Sequence, residues 1–433
     1  MAKRASIRRA MPPTPESCSN ICFTPDGRRV EPIQTDAAFS VALRADRMMS
    51  GDAAVNDVWR ESEGTMNEIF NQTRQTRRKR RWPAMMLCVV LGMTLCGCSL
   101  GTASEEPKTR QVIAMTTIMN LRVYGKKSDR ALNDGEKEIH RIDARLSVGN
   151  SDSEVSKLNA AGGGVVSGDV ATLMQKALDI YRSTDGAFDI SIYPIMKLWG
   201  FTEVYDESDP KTSTKVKHIP SSSAIAQTLT KVDASKIRYD AKTKTLDLPA
   251  DMQIDFGGIA KGYTSQRLID IMKKDGVTAA MVELGGNVQV YGQKPDGSPW
   301  RVGIANPKNR EKMVGTLNLT KSCAVITSGS YERYITDSTG RKYHHIIDPN
   351  TGYPAESGLA SVTIVCKDGT TADALSTALF VMGKDKAIAY WRAHHQMFDA
   401  ILVDQNQRVY VTAGAIKAFQ KNAGFSVREI KVK

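Results

Sequence analysis

From Gln111 onward the chain alternates short β-branched runs with segments of helical spacing, and no internal repeat sets their order. Strands in runs with helices scattered between them favour an α+β architecture over a doubly wound parallel sheet. The run 112-VIAMTTIMNLRVYG-125 is β-branched and ends at glycine, which predicts a strand. Residues 129–145 have helical spacing, with Leu132, Ile139, Ile142 and Leu146 as core positions. A short helical turn over 153–159 ends in Gly162-Gly163-Gly164, and a helix over 169–186 is read as capped by Asp169 and stopped at Gly186. After a loop-rich stretch to residue 201, the polar segment 202–230 reads as a surface insertion. Further strands are expected at 237–248, 278–284, 288–293, 300–305, 323–327, 343–347, 360–366 and 399–403. Helices are expected at 259–274, 371–382 and 384–395.

A chain of 433 residues has room for two or three domains, but its front end reads as an address. In 74-RQTRRKRRWPAMMLCVVLGMTLCGCSL-100 a basic cluster leads into an apolar segment from Trp82 to Leu95, then Leu95-Cys96-Gly97-Cys98. That order matches a secretory signal. Cysteine directly after Leu-x-Gly resembles a bacterial lipobox, in which the thiol is acylated and becomes the mature N-terminus. The uncharged run 82–100 also approaches spanning length, so a transmembrane helix is the competing reading. Residues 98–110 are then the lipidated Cys98 and a polar tether. Met66 opens a segment of ordinary signal length, 66–97. Residues 1–65 lack periodicity and are read as an extension that is not made.

The net charge is +12, of which residues 1–97 supply +5 and the rest +7. The surplus in the body is spread out, which argues against a nucleic-acid groove. Of seven cysteines only Cys323 and Cys366 follow Cys98, so there is no disulfide framework. Both lie in apolar strand-like runs, as buried free thiols or as a pair.

The stretch 251-DMQIDFGGIAKGYTSQRLID-270 sets Asp255, Gly257, Gly258 and Lys261 at a strand-to-helix junction. A helix N-terminus presents unpaired N–H groups that suit phosphate, glycine admits close approach, and Lys261 adds a cation one turn in. A Gly-Gly helix start is also common as plain structure, and the Walker order is absent. In 370-TTADALSTALFVMG-383, Thr371 is read as a helix cap, with Asp373 and Thr377 four apart on one face. A carboxylate beside a hydroxyl is the hard-oxygen set that Mg²⁺ takes with waters and phosphates. The plain alternative is a first-turn acid favoured by the helix dipole and a helix threonine bonding backward. In 341-RKYHHIIDPNTGYPAE-356, alternation places Tyr343, His345 and Ile347 on one face; a strand-end histidine can serve as a base or an anion contact, and two adjacent histidines are equally a half-exposed strand pair. Leu284-Gly285-Gly286-Asn287 is a tight backbone site, 327-TSGSY-331 is a hydroxyl-rich turn, and 186-GAFD-189 is a loop near Trp199.

Together SEVSKLN, GAFDISIYPIMKLWGF, DFGGIAKG, LGGN, TSGSYERY, HIIDPNTGYP and TADALSTALFVMG, in this order over about residues 111–425, resemble the ApbE family of FAD:protein FMN transferases. The resemblance implies a T-fold-like α+β catalytic domain over 111–433 and a Mg²⁺-dependent reaction. FMN passes from FAD to a threonine of an acceptor flavoprotein, and AMP leaves. It implies metal ligation by Asp373, Thr377 and the Gly258 carbonyl. FAD contacts would come from Met119, Ala187, Phe188, Asp189, Asp255, Lys261, Ile347 and Ser376, with His345 as the base for the threonine. It also implies a lipid-anchored protein on the periplasmic side of the inner membrane. Where the family has Met-Gly-Thr, Met119-Asn120-Leu121 stands here. A water-using FAD pyrophosphatase and a non-catalytic flavin carrier are the rival readings. All of this requires the two helix starts, at Gly258 and at Asp373, to be neighbours.

Overall fold

The computed structural model describes residues 106–202 and 219–433. The extension 1–65, the signal 66–97, Cys98 and the tether up to residue 105 lie outside the described residues, as do residues 203–218 of the expected insertion. The chain begins with β1 (Lys108–Ala114), β2 (Thr117–Tyr124), α1 (Ser128–Leu146), α2 (Glu154–Ala161), β3 (Gly163–Val165) and α3 (Gly168–Ser183). It continues through α4 (Tyr193–Leu198), α5 (Ser222–Leu229), β4 (Arg238–Asp240), β5 (Thr245–Asp247), α6 (Ala260–Lys274), β6 (Ala279–Leu284) and β7 (Asn287–Tyr291). Then come β8 (Trp300–Asn306), β9 (Asn309–Leu319), β10 (Cys323–Gly329), β11 (Tyr334–Thr336), β12 (Lys342–His344) and β13 (Leu359–Cys366). The last elements are α7 (Gly369–Met382), α8 (Lys384–His394), β14 (Phe398–Asp404), β15 (Val409–Thr412), β16 (Phe419–Lys421) and β17 (Val427–Ile430).

A nine-stranded sheet in the order β1-β2-β6-β7-β10-β13-β14-β15-β17 forms the backbone of the domain. Only β15–β17 is parallel, so the sheet is mixed and the class is α+β. Its strands alternate between two cores, as a period of two requires. On β10, Ala324 and Ile326 join the large core that includes α3 and α7, whereas Val325 joins the core beneath the small sheet β16-β9-β8. On β13, Val362, Ile364 and Cys366 face the helices. A third core holds β1, β2 and β6 against α1 and α6, with Leu121, Ile139 and Leu268 fully buried. A smaller cluster of Ile195, Trp199, Ile225, Ile335 and Ile347 supports the β11–β12 hairpin, and Trp199 Nε1 donates to the Gly352 carbonyl at 2.8 Å.

Several expectations need correction. The tether ends before residue 108, because Lys108–Ala114 already pairs with β2. The basic side chains of β1 pair with α1, Arg110 with Glu136 and Lys108 with Asp129. The single strand over 112–125 is a hairpin. Met115 (φ 49°) and Thr116 (φ 56°) make its turn in the left-handed region. The 237–248 run is likewise two strands, β4 and β5, paired antiparallel. Helix α3 is capped by Ser167, not Asp169, whose carboxylate instead accepts from Arg141 and Tyr263. Helix α7 starts earlier than expected, because Asp368 accepts from Thr371 N at 2.7 Å. The expected insertion at 202–230 contains α5, whose Ile225 is buried. The strand expected over 343–347 stops at His344. Cys323 and Cys366 are free; lying on opposite faces of the sheet, they are not placed to pair. Among the described residues no helix is long and apolar enough to cross a membrane.

Candidate active site

Helix α6 follows a turn at Gly257–Ile259, and its first residues meet the first turn of α7. The contact is made by glycine. A Cβ on Gly262 would stand 2.5 Å from Asp373 Cβ, and one on Gly369 would stand 2.7 Å from the Gly262 carbonyl oxygen. With no side chain at either position, two positively polarised helix ends share one place. Gln289, buried on β7, ties them further. It accepts from Ser265 Oγ at 2.7 Å and donates to Gln266 Oε1, which also accepts from Gly369 N.

Asp373 sits in this junction at 5% exposure. Its Oδ2 accepts from Gly262 N at 2.7 Å and its Oδ1 from Asn287 Nδ2 at 3.0 Å. Asn287 begins β7 after the two-residue turn Gly285-Gly286, whose φ values of 59° and 89° are those of a type I′ hairpin. Burial raises the proton affinity of Asp373, and the Lys261 ammonium opposes that rise. A cation beside the carboxylate would oppose it further. One turn on, Thr377 Oγ1 lies 3.2 Å from Ser328 Oγ, which also contacts Ser376 Oγ at 2.7 Å. A Cβ on Gly258 would lie 3.9 Å from Thr377 Oγ1 and 3.0 Å from Phe188 Cε2. Thus Gly258, Phe188 and Thr377 meet, with Asp373 one turn back on α7 against Gly262. Among the described residues no three His, Cys, Asp or Glu side chains form a metal cage. The hard donors are one carboxylate, one hydroxyl and main-chain carbonyls, a set suited to a Mg²⁺ ion that keeps waters.

Opposite these helix ends stand Asp255 and His345. Asp255 Oδ1 accepts from Gly257 N at 2.9 Å, and Asp255 N donates to the Ile190 carbonyl at 2.8 Å. Crowding by protein raises its proton affinity, while Arg333 and Lys261 pull it down. His345 follows β12. Its N–H donates to the Arg333 carbonyl at 3.0 Å, and Nδ1 lies 3.1 Å from the same oxygen. A carbonyl only accepts, so the proton belongs on Nδ1 and Nε2 carries the free lone pair. Burial first, then the Arg333 and Lys261 charges, hold His345 well below the usual histidine range. The neighbouring His344 points the other way and packs edge-on against Phe380 at 5.5 Å. The Lys261 charge acts on Asp255, His345 and Asp373 alike, so the four groups gather around one candidate cleft.

The remaining expected residues divide. Ser376 is fully buried beside Ser328. Ala187 and Phe188 are buried at the rim of the large core, next to Gly258. Asp189 lies with them, but its carboxylate accepts from Ser191 N, Ser191 Oγ and Ala234 N, so it braces the chain. Ile347 has its side chain in the cluster under the hairpin. Met119 belongs elsewhere: it is fully buried in β2, paired with Leu284. The turn Met115-Thr116-Thr117 matches Met-x-Thr better than Met119-Asn120-Leu121 does. Thr116 holds the positive φ that glycine takes readily, Met115 Sδ accepts from Thr264 Oγ1 on α6, and Thr117 abuts Gly285. In sequence a continuous β-branched run hides this turn. Asn287 and Ser328 could be suspected from the LGGN and TSGSY motifs, but Arg333 gave no signal before the hairpin register was known.

The ApbE family model matches residues 115–402 of this chain. The FAD:protein FMN transferase of Treponema pallidum is 30% identical over 353 residues, covering 77% of this chain and 93% of that protein. That of Salmonella typhimurium is 30% identical over 311 residues, covering 70% and 87%. The crystal structure of the ApbE protein from Thermotoga maritima aligns with a TM-score of 0.66 at 31% identity, covering 73% of this chain and all of that one. The flavin transferase ApbE from Vibrio cholerae gives a TM-score of 0.63 at 25% identity, covering 72% and 99%.

Proposed function

The chain belongs to the ApbE family, and from that premise we propose that it is an FAD:protein FMN transferase. It moves the FMN moiety of FAD to a threonine hydroxyl of an acceptor flavoprotein and releases AMP. The observation that carries this reading is the meeting of the α6 and α7 starts around buried Asp373, with a neutral His345 across the cleft.

The new bond joins threonine Oγ to the FMN phosphorus, and the phosphoanhydride bond breaks with its electron pair leaving on AMP. Such transfer needs positioning and charge neutralisation more than covalent help. The Lys261 ammonium and the positive pole of α6 offer charge to the diphosphate, although the Gly257, Ile259, Ala260 and Gly262 N–H groups are already bonded within the protein. The Asp255 carboxylate feels the charges of Arg333 and Lys261 without a close ion pair to either among the described residues. Nε2 of His345 takes the threonine proton, and its low proton affinity keeps it free to do so. Phe188, beside Gly258, walls the flavin side, with Ala187 and the main chain at Asp189. Ser376, buried beside Ser328, and Ile347, buried under the hairpin, would act on the site through the main chain. Asp373, Thr377 and the Gly258 carbonyl would hold Mg²⁺, which when bound supplies charge neutralisation to the phosphates. We place the protein at the cell envelope, anchored through Cys98.

The test is purified protein with FAD, Mg²⁺ and a threonine-bearing acceptor. FMN covalently on the acceptor with one AMP released supports the reading. Free FMN with AMP indicates a pyrophosphatase, unchanged FAD indicates a carrier, and either outcome ends it.

A further inference from the structure

We propose that Arg333 is a further catalytic residue, its guanidinium gripping the diphosphate beside His345; this rests on the transferase reading above. β11 and β12 pair in the register Tyr334↔His344 and Ile335↔Tyr343. The His345 N–H to Arg333 carbonyl bond extends that ladder by one pair. Opposed residues of an antiparallel pair project to the same face with Cβ atoms about 4.5–5.5 Å apart. The two side chains therefore leave the hairpin from neighbouring positions on one face, near enough for the Arg333 charge to act on His345.

Neighbouring charges are already used. Glu332 is paired with Arg310 at 3.0 Å, and Arg341 with Glu356 at 3.0 Å. The Arg333 side chain is exposed and makes no hydrogen bond or close ion pair among the described residues. Its nearest charged influences are Asp255, within the cleft, and Glu332. A forked cation held unpaired over a cleft is suited to a diphosphate, because its parallel N–H groups match two phosphate oxygens. Asp255 and Asp373 already put negative charge in the cleft, and a dinucleotide adds more. Lys261 supplies a point charge there, and Arg333 supplies a fixed, directional one. During transfer Arg333 neither gains nor loses a proton. It stabilises the charge on the phosphoryl oxygens as the anhydride bond opens, while its own main-chain carbonyl fixes the tautomer of His345. One residue thus serves both the phosphate and the base.

The experiment compares wild type, Arg333→Gln and Arg333→Lys in the FMN-transfer assay, with thermal melts and pH profiles. Turnover of Arg333→Gln is expected to fall roughly 10²–10³-fold. Arg333→Lys should recover only part, since it restores charge without the fork. Added guanidinium, well below denaturing concentration, should restore turnover to Arg333→Gln. The acid limb of kcat/KM should move to higher pH, because removing the cation raises the proton affinity of His345. If wild type transfers no FMN, the transferase reading fails. If wild type transfers FMN and Arg333→Gln matches it, Arg333 has no such role. Loss of activity that merely tracks loss of fold, without guanidinium rescue, overturns it too, as does a fully active Arg333→Lys.

Discussion

Placing a methyl group on Gly262 tests the central contact directly. Gly262 is in the first turn of α6, where replacing glycine by alanine should gain about 1 kcal/mol from helix propensity alone. Packing opposes that gain. The new Cβ would lie 2.5 Å from Asp373 Cβ and 2.9 Å from the Gly369 carbonyl carbon, against 3.4–4 Å for ordinary contact. Neither neighbour is a flexible side-chain end, so α6 and α7 must part by about 1 Å. Overpacking of this kind costs about 1–3 kcal/mol and occasionally more. Net of that gain the clash costs up to about 2 kcal/mol, a fall in Tm of up to roughly 8 °C for a domain near this size. Activity should suffer more. Separation stretches the 2.7 Å bond from Gly262 N to Asp373 and moves Thr377 away from Gly258. A misplacement of about 1 Å costs on the order of 10²-fold in rate. Gly168→Ala, which meets nothing within 4 Å at the start of α3, is the control and should leave both readouts unchanged. A Gly262→Ala protein that transfers FMN at the wild-type rate, with Tm equal or higher, would refute the argued apposition of the two helices.

Other outcomes are also fixed by the geometry. Asp373→Ala should abolish metal-dependent transfer. It should also destabilise the domain by about 1–3 kcal/mol per orphaned donor, since Gly262 N and Asn287 Nδ2 lose their acceptor. An unaltered melt would contradict this. With His345 held low, kcat/KM should stay flat from alkaline pH down past about 6.5 and fall only in more acid solution. An acid limb centred above that pH would count against His345 as base. Because its folded proton affinity is depressed, the unfolded chain takes up the proton first as pH falls, and the domain loses stability below about pH 6.5. Mild oxidation should leave Cys323 and Cys366 unlinked, since they face opposite cores; peptide mapping that finds the 323–366 bridge contradicts the sheet register.

What could be read from the sequence is whatever a local pattern determines. The starts of α6 and α7 were placed to within two residues, because apolar spacing and glycine mark a helix end without reference to the rest of the chain. Asp373 and Thr377 fall on one face by helical arithmetic alone, and the structure sets them against α6, Asp373 at Gly262 and Thr377 at Gly258. The errors arise where a second segment chooses. Thr371 and Asp368 are both plausible caps in sequence, and only the fold of the preceding loop selects Asp368. Met119 and Met115 sit in one β-branched run, and only the turn between β1 and β2 shows which of them reaches α6. Asp189 looks like a ligand until Ala234, 45 residues away, is found bonded to it. The same logic explains why Arg333 stayed invisible. Its partner is His345, twelve residues on, and their adjacency depends on a register with no signature of its own in TSGSYERY. A site of this kind is divided between two carriers. The helix starts can be recognised one at a time, whereas the base and its neighbouring cation exist as a pair only once β11 and β12 close. Substitutions that slip the register of β11 on β12 should therefore damage proton transfer while leaving the Asp373 junction intact.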